Sequence, residues 1–253
     1  MKASQDNFSK QAHTYKKFRP TYPQGVYDEL LRITGSLPRQ RAWDCGTGNG
    51  QVAAELAKHY EQVIATDISQ NQIDHAATAP NITYRVERAE QTRFPDSHFD
   101  LITVGQALHW FDFEAFEKEV RRVGRAGGVI SVWGYGLLRI NEAINAHIDH
   151  FYTNIIASYW NVERRHVDRA YESIPFNFPS IPMRKDLAIE VEWTRDQFEG
   201  YLNSWSSVQN YIRQHQGENP VPGFISELAS VWSADQVQAI RFPIFIKAGK
   251  IHK

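Results

Sequence analysis

Short apolar runs alternate with longer polar or amphipathic stretches through the first half of the chain. The runs lie at residues 42–45, 63–66, 82–86, 101–104 and 129–133. The stretches around them predict helices at 22–33, 51–59, 70–77 and 113–123. Because strands that are buried on both faces carry nearly continuous apolar runs, this alternation predicts a parallel sheet with helices on both of its faces.

The second half of the chain has a different pattern. Residues 140–172 predict one or two helices rich in aromatic side chains and histidine, and a proline-rich stretch that cannot be a long helix follows them. Two further strands are predicted, at 187–193, where apolar and polar residues alternate, and at 239–249. We therefore predict a single α/β domain, 1–253, with a Rossmann-like sheet and a helical insertion, 137–186, after the fifth strand.

Composition narrows the class of protein. The formal net charge is -1, so no global field attracts nucleic acid or an acidic membrane surface. The single cysteine, Cys45, fits a reducing compartment and is expected to be a small buried residue. The polar N-terminus lacks the apolar core of a signal peptide, and no apolar run approaches the ~18 residues of a spanning helix. These features predict a cytoplasmic protein that binds neither nucleic acid nor membrane, and they carry no signal for the oligomeric state.

A glycine-rich turn follows the first predicted strand. It contains Gly46, Gly48 and Gly50, with Asp44 before it and Asp67 at the end of the second predicted strand. Glycine allows a positive φ and lets a ligand approach the backbone closely. Open α/β sheets bind ligands at the carboxyl ends of their strands, so this turn is predicted to bind a cofactor. A tight turn without a ligand is the alternative, which the two aspartates and the following helix disfavour.

Two classes of cofactor fit a turn of this kind. Dinucleotides use G-x-G-x-x-G and place a pyrophosphate at the helix N-terminus, whereas this turn reads D-x-G-x-G-x-G. A carboxylate at Asp44 would repel a pyrophosphate but attract the ammonium group of S-adenosylmethionine, which has no phosphate. Asp67 would accept the ribose hydroxyls of either ligand. The extra aspartate favours S-adenosyl-L-methionine, and a nucleotide-binding oxidoreductase is the alternative.

Longer stretches of the sequence resemble a known family. The chain reads DCGTGNGQ, then VIATDIS, RAEQTRFPDSHFDLITVGQALHWFD and FEKEVRRVGRAGGVISVWGYG. This series is similar to the class I S-adenosylmethionine-dependent methyltransferases, and within them to the type-11 group that includes trans-aconitate methyltransferase-like enzymes. The resemblance covers residues 8–135 and continues more loosely at 201–212. It implies a seven-stranded sheet in the order 3-2-1-4-5-7-6, with the last strand antiparallel.

The resemblance also implies which residues bind the cofactor. They would contact the methionine part, the ribose, the adenine and the sulfonium: Tyr15, Arg19, Asp44, Gly46, Gly48, Asp67, Ile68, Ala89, Glu90, Gln106, Ala107 and Trp110. Many members carry an acidic residue where this chain has Arg88, so adenine recognition is expected to rest on the backbone around Ala89. The N-terminal segment 1–36 would form a lid over the cofactor, with Arg19 gripping the methionine carboxylate. An exposed amphipathic segment is the alternative for this region.

Two residues past the fourth predicted strand are candidates for the reaction site. Trp110 would face the sulfonium through a cation–π contact or would fix the next helix, and both interpretations stay open. His109 is expected beside the transferring methyl group, because histidine titrates near neutral pH. Methyl transfer needs no covalent enzyme intermediate, and a base only if the acceptor holds a proton on the attacking atom. His109 or Tyr135 would be that base.

The insertion and the later segment 201–212 are expected to roof the acceptor pocket. The aromatic side chains predicted to wall it are Tyr152, Tyr159, Trp160, Trp205 and Tyr211, and the arginines predicted to pair with an anionic acceptor are Arg139, Arg164, Arg165 and Arg213. These residues predict a small-molecule methyl acceptor, with carboxylic acids as the first class to test. For any single aromatic, packing of the insertion onto the sheet is the favoured interpretation. A cofactor-binding module without turnover is the alternative for the whole chain.

His147 and His150 are spaced as metal ligands on one helix face, but no third ligand is evident. No metal site is therefore predicted.

Overall fold

The computed structural model describes residues 20–253. Its strands, in chain order, are β1 (Arg41–Cys45), β2 (Gln62–Asp67), β3 (Ile82–Val86), β4 (Phe99–Gly105), β5 (Gly124–Tyr135), β6 (Ser180–Ile181), β7 (Ala188–Trp193) and β8 (Gln238–Lys250). Its α-helices are α1 (Gln24–Ile33), α2 (Gln51–Leu56), α3 (Gln70–Asp74), α4 (Phe113–Val123), α5 (Glu142–His150), α6 (Arg164–Asp168), α7 (Arg195–Asn203), α8 (Ser206–Gln214) and α9 (Val221–Leu228).

The strands form one sheet in the order β3-β2-β1-β4-β5-β8-β6, and β7 also pairs with β8. Neighbours from β3 to β5 are parallel, and β8 runs antiparallel to β5. The predicted order 3-2-1-4-5-7-6 is confirmed, with β7 and β8 as its sixth and seventh strands. The added strand, β6, has two residues and is too short to leave a periodic pattern in the sequence.

One long strand completes the sheet by pairing with different partners along its length. The first half of β8 pairs with β7, from Gln238 to Pro243, and the second half pairs with β5, from Ile244 to Lys250. Pro243 lies at the change of partner, where its missing N–H is tolerated. The sheet edge beyond β5 is therefore closed by a segment distant in sequence.

Buried side chains fill both faces of the sheet. Trp133, Phe242 and Trp232 belong to the cluster that packs α1, α2 and the C-terminal helices on one face. Trp43 and Phe99 belong to the cluster that packs α4 on the other face. The inner strands β1 and β4 are almost wholly buried, as their continuous apolar runs predict.

The described part of the predicted lid is a packed helix. Within α1, Val26 and Leu30 are fully buried. The carboxylate of Glu29 accepts hydrogen bonds from the Arg32 side chain at 2.7 Å and from the backbone N–H of Arg184 at 2.8 Å. Residues 24–33 therefore belong to the core. Residues 1–19, which include Tyr15 and Arg19, lie outside the described residues.

The insertion is predominantly helical. It contains α5, a π-helical turn at Phe151–Ile155, a 3₁₀ turn and α6. The ring of Phe151 stacks on Phe224 of α9 with centroids 4.4 Å apart, so the insertion packs on the C-terminal helices. Across residues 20–253, every helix falls short of the length and apolarity required to cross a membrane.

Candidate functional site

A cavity of about 840 Å³ opens at the carboxyl ends of the parallel strands. Residues that follow β1, β2, β3 and β4 line it, together with the last residue of β5 and the short segments 20–22 and 161–163. Its volume lies within the range of about 300–1,000 Å³ that is usual for small-molecule sites. The cavity is the candidate site because it collects residues from every parallel strand.

The glycine-rich turn forms one wall of this cavity. Gly46 has a φ of 67°, and a Cβ atom on it would lie 2.6 Å from the Cβ of Ala107. Gly50 has a φ of 77° at the start of α2, and a Cβ atom there would overlap the hydroxyl of Tyr84. Both the backbone conformation and the close packing therefore require glycine at these positions.

Asp44 lies on the floor of the cavity with 1% of its surface exposed. Its two carboxylate oxygens accept hydrogen bonds from the hydroxyl of Thr47, at 2.5 Å, and from the hydroxyl of Thr103, at 2.9 Å. Burial raises the pKa of Asp44 to about 6, although the two hydroxyls favour the ionised form. Both donors are uncharged, so these hydrogen bonds do not neutralise the ionised carboxylate. Its negative charge can therefore attract a cationic ligand.

Asp67 ties the end of β2 to the glycine-rich turn. One carboxylate oxygen accepts from the backbone N–H of Gly48 at 2.9 Å, and the other accepts from the backbone N–H of Ser69 at 2.9 Å. A carboxylate oxygen can accept a second hydrogen bond, so Asp67 can also accept from a ligand hydroxyl. Ile68 lies beside it on the cavity wall, with 43% of its surface exposed, and offers an apolar face for a planar ring.

The loop after β3 brings Ala89 and Glu90 to the same cavity. Glu90 accepts a hydrogen bond from the backbone N–H of Asp112 at 3.0 Å, and its other oxygen lies 3.4 Å from the Nε atom of Arg88. Arg88, which stands where an acidic residue was expected, thus offsets the charge of Glu90. The loop is fixed against the start of α4 at the cavity edge.

Two glutamines line the cavity with their amide oxygens already bonded. Gln106 has a φ of 53°, and its Oε1 atom accepts from the backbone N–H of Tyr135 at 2.9 Å. The Oε1 atom of Gln51 accepts from the backbone N–H of Tyr22 at 3.1 Å. Ala107 follows Gln106 and packs against the glycine-rich turn. Gln106, Ala107 and Tyr135 thus line the cavity.

The 3₁₀ turn after β4 separates Trp110 from His109. Trp110 lines the cavity, whereas His109 is buried, with its Nδ1 atom 2.9 Å from the hydroxyl of Tyr171. Within residues 20–253, His109 is not part of the cavity wall, which contradicts its predicted position beside the methyl group. The buried hydrogen bond to Tyr171 fixes the imidazole within the packed interior, which is the role of a structural residue.

The aromatic residues that were expected to wall the acceptor pocket pack against one another. The ring centroid of Trp160 lies 5.4 Å from that of Tyr152 and 5.6 Å from that of Trp205. The ring centroids of Tyr159 and Tyr211 are 4.8 Å apart. None of these five rings lines the cavity in the described part of the chain, so they do not form the expected wall, and packing, the interpretation favoured for any single one, describes them. Their apolar faces bury one another between the insertion and α7–α8.

Two arginines of this region are engaged away from the cavity. Arg164 lies over the ring of Trp160 at 4.7 Å, and its Nε atom donates to the hydroxyl of Tyr152 at 2.9 Å. Arg139 pairs with Asp149 at 2.6 Å. Among residues 20–253, the cavity wall includes none of the four arginines predicted to bind an anionic acceptor.

Some lining residues escaped the sequence analysis. Gln51 and the segment 161–163 line the cavity, and Val162 has 61% of its surface exposed. Tyr22, which lies in the predicted lid, also lines it. The position of Gln51 directly after the third glycine was a usable signal. The segment 161–163 had none, because its approach to the strand ends depends on how the insertion folds back.

Two further points of the sequence analysis concern the reactivity of Cys45 and a metal site. Cys45 is fully buried, and burial raises the pKa of its thiol well above the usual value, which disfavours a nucleophilic thiolate. In the part of the chain that the structure describes, no three His, Cys, Asp or Glu side chains are grouped to hold a metal ion.

Comparison with known proteins identifies relatives along most of the chain. Residues 43–132 match the family model described as a methyltransferase domain. A candidate methyltransferase of Dictyostelium discoideum is 37% identical over 214 residues, which cover 82% of this chain and 80% of the relative. A candidate S-adenosylmethionine-dependent methyltransferase of Saccharomyces cerevisiae is 20% identical over 252 residues, which cover 86% of each chain.

Solved structures show the same similarity. A candidate type II methyltransferase from Anaeromyxobacter dehalogenans superimposes with a TM-score of 0.82 at 37% identity, covering 92% of this chain and 98% of that one. A phosphoethanolamine N-methyltransferase of Haemonchus contortus, solved with phosphomonomethylethanolamine and S-adenosylhomocysteine, gives a TM-score of 0.52 at 17% identity. This match covers 100% of this chain and 61% of that one, and it shows a shared fold.

Proposed function

This chain belongs to the S-adenosylmethionine-dependent class I methyltransferases, and we propose that it methylates a small molecule, with carboxylic acids as the acceptor class. Its cofactor is S-adenosyl-L-methionine. The observation that carries the proposal is the cavity of about 840 Å³, which joins the glycine-rich turn to the side chains of Tyr22, Gln51, Gln106 and Tyr135. A cavity of this size accommodates a nucleoside cofactor together with a small acceptor.

The residue roles at the cofactor follow from the contacts described above. We propose that Asp67 accepts hydrogen bonds from the ribose and that Ile68 packs on the adenine, with the backbone of Ala89 at its edge. Asp44 would attract the ammonium group, because a buried carboxylate interacts strongly with a nearby cation. Trp110 would face the sulfonium. The remaining predicted contacts, from Gly46, Gly48, Glu90 and Ala107, and from Tyr15 and Arg19 in the predicted lid, complete this proposal.

Charge along the cavity wall separates a cofactor side from an acceptor side. Glu90 lies beside Arg88, and Glu87 lies 3.3 Å from Arg93, so these carboxylates after β3 have cationic partners. Around Tyr135 the wall presents the phenol ring of Tyr22 and the amide of Gln106, and Glu163 is the acidic residue of the segment 161–163. A small anionic acceptor fits that neutral polar side better than the carboxylate-rich side.

A carboxylic acid also suits the chemistry that this wall can support. In the transfer, a lone pair of the carboxylate oxygen forms a bond to the methyl carbon, and the carbon–sulfur bond breaks toward sulfur. The products are a neutral methyl ester and the thioether S-adenosylhomocysteine, and no proton moves. A base is therefore unnecessary, which agrees with the buried position of His109. Binding and alignment supply the catalysis.

A methyl-transfer assay tests this proposal and the alternative of a binding module without turnover. The protein is incubated with labelled S-adenosylmethionine and with panels of small carboxylic acids, phenols, amines, RNA and protein extract. We expect a base-labile, solvent-extractable methyl ester from one or more acids. Methylation of RNA or protein alone would refute the small-molecule acceptor. Cofactor binding without any methylated product would favour the binding module.

A further inference from the structure

We propose that Gln51 and Gln106 recognise the acceptor, with their amide N–H groups holding the acceptor's carboxylate in line with the transferring methyl group. This inference rests on the proposed function and names the groups that select the acceptor. It assigns Gln106, which the family resemblance implied as a cofactor contact, to the acceptor instead. The pairing was not foreseen from the sequence, since the two residues lie on different elements of the chain.

The side chain of Gln106 is held in one orientation. A backbone N–H can donate only to the oxygen of a carboxamide. The 2.9 Å hydrogen bond from the backbone N–H of Tyr135 therefore fixes the positions of the Oε1 and Nε2 atoms of Gln106. The amide nitrogen is left as a donor on the cavity side. The residue also adopts a left-handed φ of 53°, which is uncommon outside glycine and is often found at functional positions.

Gln51 repeats this arrangement from another element of the chain. Its oxygen accepts from the backbone N–H of Tyr22 at 3.1 Å, so its amide nitrogen is likewise the free end. Within residues 20–253, no hydrogen-bond acceptor is found for the Nε2 atom of either glutamine. Four N–H donors on two fixed amides therefore await an acceptor of hydrogen bonds.

Two tyrosines bring the glutamines to one end of the cavity. Tyr22 and Tyr135, whose backbones fix the amides, have ring centroids 6.4 Å apart. The hydroxyl of Tyr22 also lies 3.3 Å from the position that a Cβ atom would occupy on Gly105, the residue before Gln106. The pair thus lies beside the end of β4, where the reactive sulfonium end of the cofactor is expected.

Neutral amides suit a carboxylate that must act as a nucleophile. Each amide N–H can donate a hydrogen bond to one oxygen of the carboxylate. Because the amide has no full positive charge, it lowers the nucleophilicity of the carboxylate less than a cationic donor would. The other oxygen stays available to attack the methyl carbon. An amine acceptor would present N–H donors to N–H donors, which leaves buried polar groups unpaired. The amide pair therefore selects an acceptor oxygen anion over an ammonium or amine.

The test replaces each amide nitrogen by oxygen. Gln51→Glu and Gln106→Glu keep the side-chain shape and the oxygen that accepts from the tyrosine backbone, but they present a negative charge to the acceptor. Gln214→Glu, on the exposed end of α8, is the matched control for the same change in charge. For acids esterified by the wild type, we expect kcat/KM to fall by about 10- to 100-fold in each cavity variant and to stay unchanged in the control.

A second measurement separates the acceptor from the cofactor. Calorimetry with S-adenosylhomocysteine, which carries the cofactor's own carboxylate, should give a Kd within about twofold of wild type for all three variants, and it also confirms that each variant is folded. A tenfold loss of affinity in the cavity variants would assign the amides to the methionine carboxylate and overturn the inference. Unchanged kcat/KM in both would also overturn it. If the wild type esterifies no acid, the proposed function fails first and the inference fails with it.

Discussion

The backbone N–H of Gly48 donates to the carboxylate of Asp67 over 2.9 Å, so the glycine-rich turn and the end of β2 form one unit. The second oxygen of Asp67 is held by Ser69 at the start of the next helix. One carboxylate thus fixes two loops that both line the cavity. The shape of this part of the cavity therefore depends on this side chain as well as on the glycines.

The first prediction concerns that carboxylate. Asp67→Ala should weaken binding of S-adenosylmethionine by about 10- to 100-fold, because it removes a charged hydrogen-bond acceptor worth about 1.5–3 kcal/mol. Calorimetry measures the change, and Asp235→Ala, at an exposed position, is the control. An affinity equal to wild type would remove Asp67 from the ribose contact.

The second prediction concerns pH and Asp44. Its pKa is raised from 3.8 to about 6, so the folded protein binds more protons than the unfolded chain between these values. The contribution of Asp44 to stability is therefore greatest below pH 3.8 and is lost as the pH rises through 6. Affinity for the cationic cofactor should change in the opposite direction and increase across the same window, because the ionised carboxylate attracts the ammonium group.

Denaturation and calorimetry from pH 4 to 8 check this pair of trends in wild type and in Asp44→Asn. The variant does not titrate at this position, so the difference between the two proteins isolates Asp44. The expected range is about 3 kcal/mol in stability, from about two pKa units at 1.36 kcal/mol each. A difference that does not vary with pH would mean that Asp44 does not titrate in this window.

The third prediction compares two glycines that share a positive φ. Gly46→Ala should destabilise the protein more than Gly127→Ala, because an added Cβ meets Ala107 in the first case and has nothing within 4 Å in the second. The left-handed conformation alone costs about 1–2 kcal/mol, and overpacking adds about 1–3 kcal/mol. Ala107→Gly should recover part of the loss in the double variant. Equal destabilisation by the two single substitutions would contradict the close packing.

The fourth prediction concerns the buried pair of His109 and Tyr171. Tyr171→Phe should lower the free energy of unfolding by about 1–3 kcal/mol, because it leaves the imidazole without this hydrogen-bond partner. Its kcat should remain close to that of wild type, and Tyr211→Phe is the control for loss of a phenol hydroxyl. A large fall in kcat with unchanged stability would instead give His109 a part in the chemistry.

The sequence predicts the cofactor half of the molecule well. Asp44, Gly46, Gly48 and Asp67 lie at the ends of short buried strands, and parallel strands bring such ends together at one sheet edge. Local pattern is sufficient there, because each residue's position follows from the strand that carries it.

The rest of the cavity wall depends on contacts that no local pattern records. The bond from Tyr22 to Gln51 joins an arm before the first strand to the helix after it. Trp160 and Trp205 have the composition of a pocket wall, yet they bury each other, because aromatic residues serve cores and cavities equally well. The same holds for His109. Its residue type suggests a catalytic role, but its buried hydrogen bond to Tyr171 directs the imidazole away from the cavity wall.

The split pairing of β8 has a consequence for how the chain acquires its fold. Strand β5 can pair with β4 early, but its other edge waits until the insertion and the helices after it have been made and β8 arrives. Such distant pairing raises the contact order and slows folding. During that delay β5 exposes an unpaired edge in a nascent chain, which is a site where strands of other molecules can add. If segment 238–250 fails to dock, the chain should therefore aggregate during synthesis before any loss of cofactor affinity is seen in the folded protein.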